Sequence, residues 1–154
     1  MSTARAYLGL GSNLGDRAAH LEDAISRLNE LGRVVARSHM LETAPWGYAD
    51  QPDFQNMVVA LETALTPREL LAAVKRIERQ MGRTPTFRNG PRVVDIDILL
   101  YDDRRVNEPG LVIPHPRMGE RAFVLEPLAE IAPELAARHA APAKEEDADA
   151  DVSL

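Results

Sequence analysis

The feature that most constrains this chain is the order in which its strand-like and helix-like segments follow one another. Short apolar or alternating segments, typical of strands, lie at residues 7–10, 33–39, 54–62 and 93–101. An amphipathic helical stretch follows the first segment and another follows the third. The order β-α-β-β-α-β predicts an α+β fold with an antiparallel sheet.

The two helical stretches carry recognisable start and stop signals. Asp16 can cap the first helix, and Gly32 is expected to end it. Residues 66–69, Thr-Pro-Arg-Glu, combine an N-cap, a proline at the first helical position and a capping-box glutamate, and Gly82 is expected to end this helix. A short third helix is expected over residues 120–126. With its main helices on one face of the sheet, the chain is predicted to form a ferredoxin-like layer.

Length and composition limit the classes of protein to consider. The 154 residues suit one domain, expected to span residues 1–138, followed by an acidic, disordered tail over 139–154. The formal charge of −6 argues against a general nucleic-acid binder. No apolar run is long enough for a membrane helix, so no membrane is expected. The absence of cysteine excludes disulfides and favours a cytoplasmic location.

Residues 93–101 contain the most informative pattern in the chain. In a strand, Asp95 and Asp97 point to the same face. The opposite face would carry Val94, Ile96, Ile98 and Leu100. Two carboxylates about 6–7 Å apart along a strand are costly to bury unpaired but can hold Mg²⁺ together with the phosphates of a nucleotide. A solvated strand face is the alternative, and an isolated Asp-x-Asp favours it.

Arginines on both sides of this strand shift the balance. Arg83, Arg88 and Arg92 lie in the basic loop before it, and Arg117 and Arg121 lie after it. Guanidinium groups bind phosphate through paired hydrogen bonds and neutralise the charge on a transferring phosphoryl group. The carboxylates and arginines together favour phosphoryl transfer involving a magnesium nucleotide. Surface solubility is the alternative for the arginines.

Other candidate residues have ordinary structural explanations as well. A glutamate in the position of Glu78 is more often an exposed helix residue than a ligand-binding one. His115 lies between two prolines, where a histidine can contact a phosphate but more often has a structural role in a turn. Phe54 and Asn56 share a strand face suited to a planar heterocycle, although core packing explains Phe54 equally well. The glycine-rich residues 9–15 lack the Lys-Ser/Thr of a P-loop, so a tight turn is favoured over a phosphate loop.

Several segments together resemble the 6-hydroxymethyl-7,8-dihydropterin pyrophosphokinase family of folate biosynthesis. The matching segments are residues 10–16 (LGSNLGD), 50–56 (DQPDFQN), 90–99 (GPRVVDIDIL), 113–116 (IPHP) and 127–133 (PLAEIAP). The resemblance extends over about residues 5–135. In the basic loop, Pro85 and Asn89 stand where the family commonly has an arginine and a tryptophan.

The resemblance implies transfer of pyrophosphate from ATP to 6-hydroxymethyl-7,8-dihydropterin by a protein that usually acts as a monomer. It implies that Asp95 and Asp97 hold two Mg²⁺ ions and that Arg83 and Arg92 act on the phosphates and the transition state. The positions implied to bind ATP are Glu78, Arg83, Arg92, Ile98, His115 and Arg121. Those implied to bind the pterin are Thr43, Ala44, Trp46, Phe54, Asn56, Asp95 and Phe123.

Two other functions fit the same architecture. One is a different metal-dependent enzyme, such as a nucleotidyl transferase or a cyclase. The other is a non-catalytic ligand-sensing module, because domains of this fold often serve that purpose. A sensing module has no need for paired carboxylates beside arginines. A nucleotidyl transferase or a cyclase would release pyrophosphate, whereas a pyrophosphokinase releases AMP.

Overall fold

The computed structural model of the protein describes residues 2–44, 50–82 and 93–141. Its main sheet has five strands: β1 (Ala4–Ser12), β2 (Arg33–Arg37), β3 (Leu41–Thr43), β4 (Phe54–Thr63) and β5 (Asp95–Tyr101). The strand order is β2-β4-β1-β5, with β3 also paired to β4, and every pairing is antiparallel. The helices α1 (Arg17–Leu28) and α2 (Pro67–Gln80) connect strands. The predicted ferredoxin-like α+β layer is confirmed.

One face of the sheet, which we call the core face, packs against α1 and α2. Its strand residues include Leu8, Leu10, Val59, Leu61 and Ile96, each at most 2% exposed. Leu21 and Leu28 of α1 and Leu70 and Val74 of α2 complete this core. Because alternate residues of a strand point to opposite faces, the other side chains of β1, β4 and β5 lie on the far side of the sheet.

The opposite face is partly covered by the C-terminal part of the described chain. A β6–β7 hairpin (Val106–Glu108 and Leu111–Ile113) leads to a 3-10 turn and then to α3 (Ala122–Ile131) and α4 (Pro133–His139). Val124 and Leu128 of α3 pack with Val58 of β4. The prediction of a helix ending before Pro127 is wrong, since α3 continues through this proline. Burial of the apolar side of α3 offsets the hydrogen bond that proline cannot donate.

Both predicted helix starts are confirmed. The Asp16 carboxylate accepts a hydrogen bond from the Ala19 backbone N–H at 3.1 Å. The Thr66 hydroxyl accepts from the Glu69 N–H at 3.1 Å, and the Glu69 carboxylate accepts from the Thr66 N–H at 2.9 Å. Caps of this kind contribute about 1 kcal/mol each to helix stability.

The predicted helix ends have different outcomes. Gly82 follows the C-cap of α2 with a φ of 90°, a conformation that suits glycine, as predicted. Gly32 does not end α1, because that helix stops at Leu28 with Asn29 as its C-cap. A β-carbon at Gly32 would collide with the Glu62 carbonyl oxygen, so this glycine permits a close approach of two backbones.

Two local features of the sheet differ from the expectation. Strand β1 extends beyond the predicted residues 7–10 to Ser12, so Gly11 is a strand residue and not part of a tight turn. A register shift between β1 and β5 disturbs the alternation near the end of β5. Leu100 therefore packs with Leu99 on the far side of the sheet, and not with Ile96 and Ile98 as predicted.

The ends of the domain remain a prediction. Helix α4 ends at His139, and the Ala141 N–H still donates to the Gly119 carbonyl oxygen at 2.9 Å. Residues 142–154, which make up most of the predicted acidic tail, lie outside the described ranges. Within those ranges, none of the helices has the length and apolar character that crossing a membrane requires.

Candidate active site

A pocket of about 250 Å³ opens on the sheet face opposite α1 and α2. Nine of the fourteen predicted site residues line it: Thr43, Ala44, Phe54, Asn56, Asp95, Asp97, His115, Arg121 and Phe123. Its floor is β1, where Gly9 and Gly11 have no side chains to fill the space. The fold thus gathers predicted site residues that are up to 80 positions apart in the chain.

Asp95 and Asp97 lie side by side at one end of the pocket. They share a face of β5, as predicted; Asp97 is exposed and Asp95 is half-buried. Across the sheet they pair with Gly11 and Gly9 of β1. Because these two neighbours are glycines, no β1 side chain covers the pocket side of the carboxylates.

A buried glutamate supports the backbone between these two carboxylates. Glu78 of α2 is 2% exposed, and its Oε2 accepts a hydrogen bond from the Ile96 N–H at 2.8 Å. Since β5 is an edge strand of the main sheet, this N–H points away from β1 and needs a partner outside the ladder. The expectation of an exposed glutamate is therefore wrong. Glu78 Oε1 also forms an ion pair with Lys75 Nζ at 3.5 Å.

His115 is held in one orientation in the wall of the pocket. Its backbone N–H donates to the Leu99 carbonyl oxygen at 2.9 Å, and its Nδ1 accepts from the Arg117 N–H at 3.1 Å. Burial, followed by the positive charges of Arg121 and Arg117, lowers the pKa of His115 to about 4. At neutral pH the ring is uncharged, and Nε2 carries the proton that can be donated to an anionic oxygen.

Arg121 supplies a positive charge next to the carboxylates. It immediately precedes α3, and its Cζ lies 5.4 Å from the centre of the Phe123 ring. Burial lowers the pKa of its guanidinium, while the negative charges of Asp97 and Asp95 act in the opposite direction. An arginine stays protonated at neutral pH despite such a shift, so this half-buried charge can bind an anion in the pocket.

The other end of the pocket has the features of a site for a flat ring. Phe54 and Asn56 share a face of β4, as predicted, and Phe123 approaches from α3. Asn56 is 9% exposed, and its Nδ2 donates to the Thr43 hydroxyl at 2.6 Å. Two aromatic faces and a fixed amide are suited to stacking a planar heterocycle and recognising its edge.

Residues that the sequence reasoning did not single out fasten the chain beside this end. The buried Asn13 donates from Nδ2 to Gln51 Oε1 at 2.8 Å and to the Pro52 carbonyl oxygen at 3.0 Å. Arg17 Nη1 donates to the Asp53 carbonyl oxygen at 2.9 Å. These bonds tie the segment before β4 to the start of α1. The only signal in the sequence was that Asn13 and Gln51 both belong to segments of the family resemblance.

Five predicted site residues are not brought together in this pocket. Ile98 packs in the core under α1 and α2, and Glu78 lies beneath β5. Trp46, Arg83 and Arg92 lie outside the described residues. The roles assigned to all fourteen positions remain predictions.

The donor set of the pocket fits magnesium better than a metal that needs a full protein cage. Within the described ranges, no group of three or more histidine, cysteine or acidic side chains is arranged to hold a metal ion. Mg²⁺ commonly binds one or two carboxylates and completes its shell with water and substrate phosphates. Asp95 and Asp97 supply such a pair at the edge of a pocket that is open to a ligand.

Comparison of sequences identifies close relatives. Residues 7–133 match the family model described as 7,8-dihydro-6-hydroxymethylpterin-pyrophosphokinase (HPPK). A 2-amino-4-hydroxy-6-hydroxymethyldihydropteridine pyrophosphokinase of Methylorubrum extorquens is 53% identical over 133 residues, which cover 85% of this chain and 84% of that protein. The protein of the same name from Bacillus subtilis is 48% identical over 128 residues, covering 82% of this chain and 77% of the relative.

Comparison of structures supports the fold. A crystal structure of HPPK-DHPS in complex with substrates has a TM-score of 0.70 at 16% identity and covers 87% of this chain. Plasmodium falciparum HPPK-DHPS A437G gives a TM-score of 0.68 at 18% identity over 86% of this chain. This chain spans only 41% and 42% of those two longer chains. At such identities the likeness concerns the fold alone.

Proposed function

This chain belongs to the 7,8-dihydro-6-hydroxymethylpterin-pyrophosphokinase family, and from that premise we propose that it transfers the pyrophosphate of ATP to 6-hydroxymethyl-7,8-dihydropterin. The products would be AMP and the pterin diphosphate, in a step of folate biosynthesis. The observation that carries this proposal is a single pocket with an aromatic and amide end beside a carboxylate and guanidinium end. One end suits the acceptor ring and the other suits a triphosphate.

At the acceptor end, the protein holds and orients the pterin. Phe54 and Phe123 would stack on its two faces, and Asn56 with Thr43 and Ala44 would contact its polar edge. This arrangement would direct the hydroxymethyl oxygen toward the carboxylate end. The oxygen would attack the β-phosphorus of ATP in line and its proton would pass to water. The bond between the β-phosphorus and the oxygen that bridges to the α-phosphate would break, and AMP would leave with that oxygen. Positioning of this kind can account for a large part of the rate.

At the phosphate end, the protein neutralises charge. The Arg121 guanidinium and the Nε2–H of neutral His115 would bind phosphate oxygens. Arg83 and Arg92, which lie outside the described ranges, remain the predicted arginines for the transition state. Glu78 and Ile98 remain predicted ATP-site positions, and the contact of Glu78 with the Ile96 N–H supports an action through the backbone of β5.

Asp95 and Asp97 would hold the two Mg²⁺ ions that accompany ATP. Bound there, the ions would supply Lewis-acid stabilisation of the phosphate oxygens and lower the pKa of the acceptor hydroxyl. The carboxylates fit this task because they lie on one face of β5 at the pocket edge.

Identification of the nucleotide product tests the proposal. The full chain is incubated with ATP, Mg²⁺ and 6-hydroxymethyl-7,8-dihydropterin, and the products are separated by anion-exchange chromatography. AMP formed in equal amount to the pterin diphosphate is the expected result. Release of pyrophosphate would indicate a nucleotidyl transferase or a cyclase, and the absence of nucleotide consumption would indicate a sensing module.

Three further statements belong to the same proposal. The protein is expected to act as a monomer on small molecules, without nucleic acid. The cytoplasm is the expected location, because the chain contains no cysteine. Analytical ultracentrifugation with and without the substrates would show whether the monomer persists.

A further inference from the structure

Gly11 lies on the pocket floor between the two ends of the proposed site. In the sheet it pairs with Asn56 of β4 on one side and with Asp95 of β5 on the other. Neighbouring strands are about 4.8 Å apart, so the backbone at this one residue separates the amide from the first carboxylate. A side chain here would project into the pocket.

A β-carbon at Gly11 would collide with the Asn56 amide. At its ideal position it would lie 2.6 Å from Asn56 Oδ1 and 3.5 Å from Phe54 Cδ1. The second distance is an ordinary contact, but the first is far too short for carbon and oxygen. Asn56 therefore occupies the volume that a side chain at position 11 would need.

The Asn56 amide cannot move aside without a cost. The residue is almost fully buried, and its Nδ2 donates a 2.6 Å hydrogen bond to the Thr43 hydroxyl. Rotation of the amide away from Gly11 would break this bond, and a buried polar group that loses its partner is destabilised. Thr43 and the bare backbone of Gly11 thus fix the amide from opposite sides.

We propose that Gly11 is a positioning residue for the acceptor ring, because it lets Asn56 keep Oδ1 turned over β1 as a hydrogen-bond acceptor. With one N–H of Nδ2 engaged by Thr43, the amide is held so that its oxygen can accept a hydrogen bond, which suits a ring edge that carries N–H donors. A pterin has such an edge in its amino group and the adjacent ring nitrogen. The inference rests on the proposed function, since it takes the ring to be a pterin.

Gly9 provides a matched control on the same strand face. It also lines the pocket and lies two residues away, where it pairs with Val58 and Asp97. A β-carbon at Gly9 would lie 3.6 Å from the Leu99 side chain, which is ordinary contact. Gly9→Ala therefore adds the same methyl group to the pocket floor without displacing Asn56.

Binding of each substrate is measured separately for wild type, Gly11→Ala and Gly9→Ala. Fluorescence titration with 6-hydroxymethylpterin should show about tenfold or greater weakening for Gly11→Ala and less than about threefold for Gly9→Ala. In Gly11→Ala, affinity for a non-hydrolysable ATP analogue with Mg²⁺ should fall clearly less than pterin affinity, and any loss caused by a methyl group beside the carboxylates should be similar in the two variants. Equal pterin affinities of the two variants, or parallel losses of pterin and nucleotide in Gly11→Ala, would overturn the inference.

A double-mutant cycle separates positioning from general disturbance. Asn56→Ala should weaken pterin binding strongly in the wild-type background and only slightly in the Gly11→Ala background, because the amide is already displaced there. The same penalty in both backgrounds would contradict the inference. A wild-type protein that binds the pterin but forms no AMP would instead contradict the proposed function.

If Gly11→Ala fails to fold, Thr43 tests the same arrangement from the other side. Thr43→Val keeps the shape but removes the hydroxyl that holds Asn56 Nδ2, whereas Thr43→Ser keeps the hydroxyl. We expect Thr43→Val to weaken pterin binding clearly more than Thr43→Ser does. Equal effects of the two substitutions would show that the orientation of the amide does not control binding.

Discussion

On strands β1, β4 and β5, the side chains that face α1 and α2 differ in kind from those that face the pocket. The core face presents large apolar groups, such as Leu8, Leu61 and Ile96, that are almost completely buried. The pocket face presents glycines and polar groups, such as Asn56 and Asp97. Residues of opposite character therefore alternate along the same strands.

This contrast shows how a small domain can separate stability from function. The larger hydrophobic core lies on the side of the sheet that faces α1 and α2, where loss of a side chain costs free energy of unfolding, and a smaller cluster under α3 covers part of the other side. The polar residues of the pocket bury little apolar surface, but the same three strands hold them in position. At adjacent positions of one strand, a substitution on the pocket face should therefore lower catalysis with little change in stability. A substitution on the core face should lower stability with little change in catalysis.

The largest effect is expected for Asp97→Ala on the pocket face. Loss of one of the two carboxylates proposed to hold Mg²⁺ should lower kcat by about a thousandfold or more, while the melting temperature stays within a few degrees of wild type. Steady-state assays of AMP formation and thermal unfolding measure the two quantities. Retained turnover would remove the metal role assigned to this carboxylate.

The opposite profile is expected for the neighbouring residue on the core face. Ile96→Ala should lower the free energy of unfolding by about 2–5 kcal/mol, because it leaves a cavity under α1 and α2. The milder Ile96→Val should cost about 0.5–1.5 kcal/mol. Urea unfolding gives these values, and kcat of the folded protein should fall by less than about tenfold. A large loss of kcat in Ile96→Val at unchanged stability would break the comparison.

A smaller effect, confined to one end of the pocket, is expected for Phe123→Ala. The substitution removes one of the two rings that would stack on the pterin, which should weaken pterin binding by about tenfold. Affinity for the ATP analogue should change much less. Isothermal titration of each ligand separates the two ends, and a uniform loss of both affinities would show that the pocket does not divide in this way.

The smallest effect concerns the protonation of His115. Its pKa of about 4 lies below the ordinary 6.5, so the unfolded chain binds its proton more readily. The contribution of the neutral ring to stability is present above pH 6.5 and is lost as the pH falls from 6.5 toward 4. Two-dimensional NMR of the imidazole nitrogens should show a neutral ring with its proton on Nε2 at pH 6. Titration near pH 6.5 in the free protein would contradict this environment.

The parts of the fold that follow from local pattern were predictable. Helices α1 and α2 begin at Asp16 and Thr66, where side chains cap the backbone within a few residues. The facing of Asp95 and Asp97 follows from strand alternation alone. The alternation argument failed at Leu100, because a register shift against β1 depends on the partner strand.

Features that depend on tertiary contacts could not be derived from the sequence. Helix α3 passes through Pro127 because its apolar side is buried on the sheet. Glu78 is buried because the edge of β5 needs a hydrogen-bond acceptor there. In the sequence, Gly11 resembles a turn residue. Only the strand pairing shows that it lies between Asn56 and Asp95 on the pocket floor.

The most direct test of the account is the position of divalent ions in a ternary complex. Crystals of the protein with a non-hydrolysable ATP analogue, the pterin and Mn²⁺ in place of Mg²⁺ allow the ions to be located by anomalous scattering. We expect two ions, each about 2.1 Å from oxygen atoms of Asp95, Asp97 and the phosphates, with the ring between Phe54 and Phe123. Ions bound elsewhere, with both carboxylates out of contact, would contradict the account.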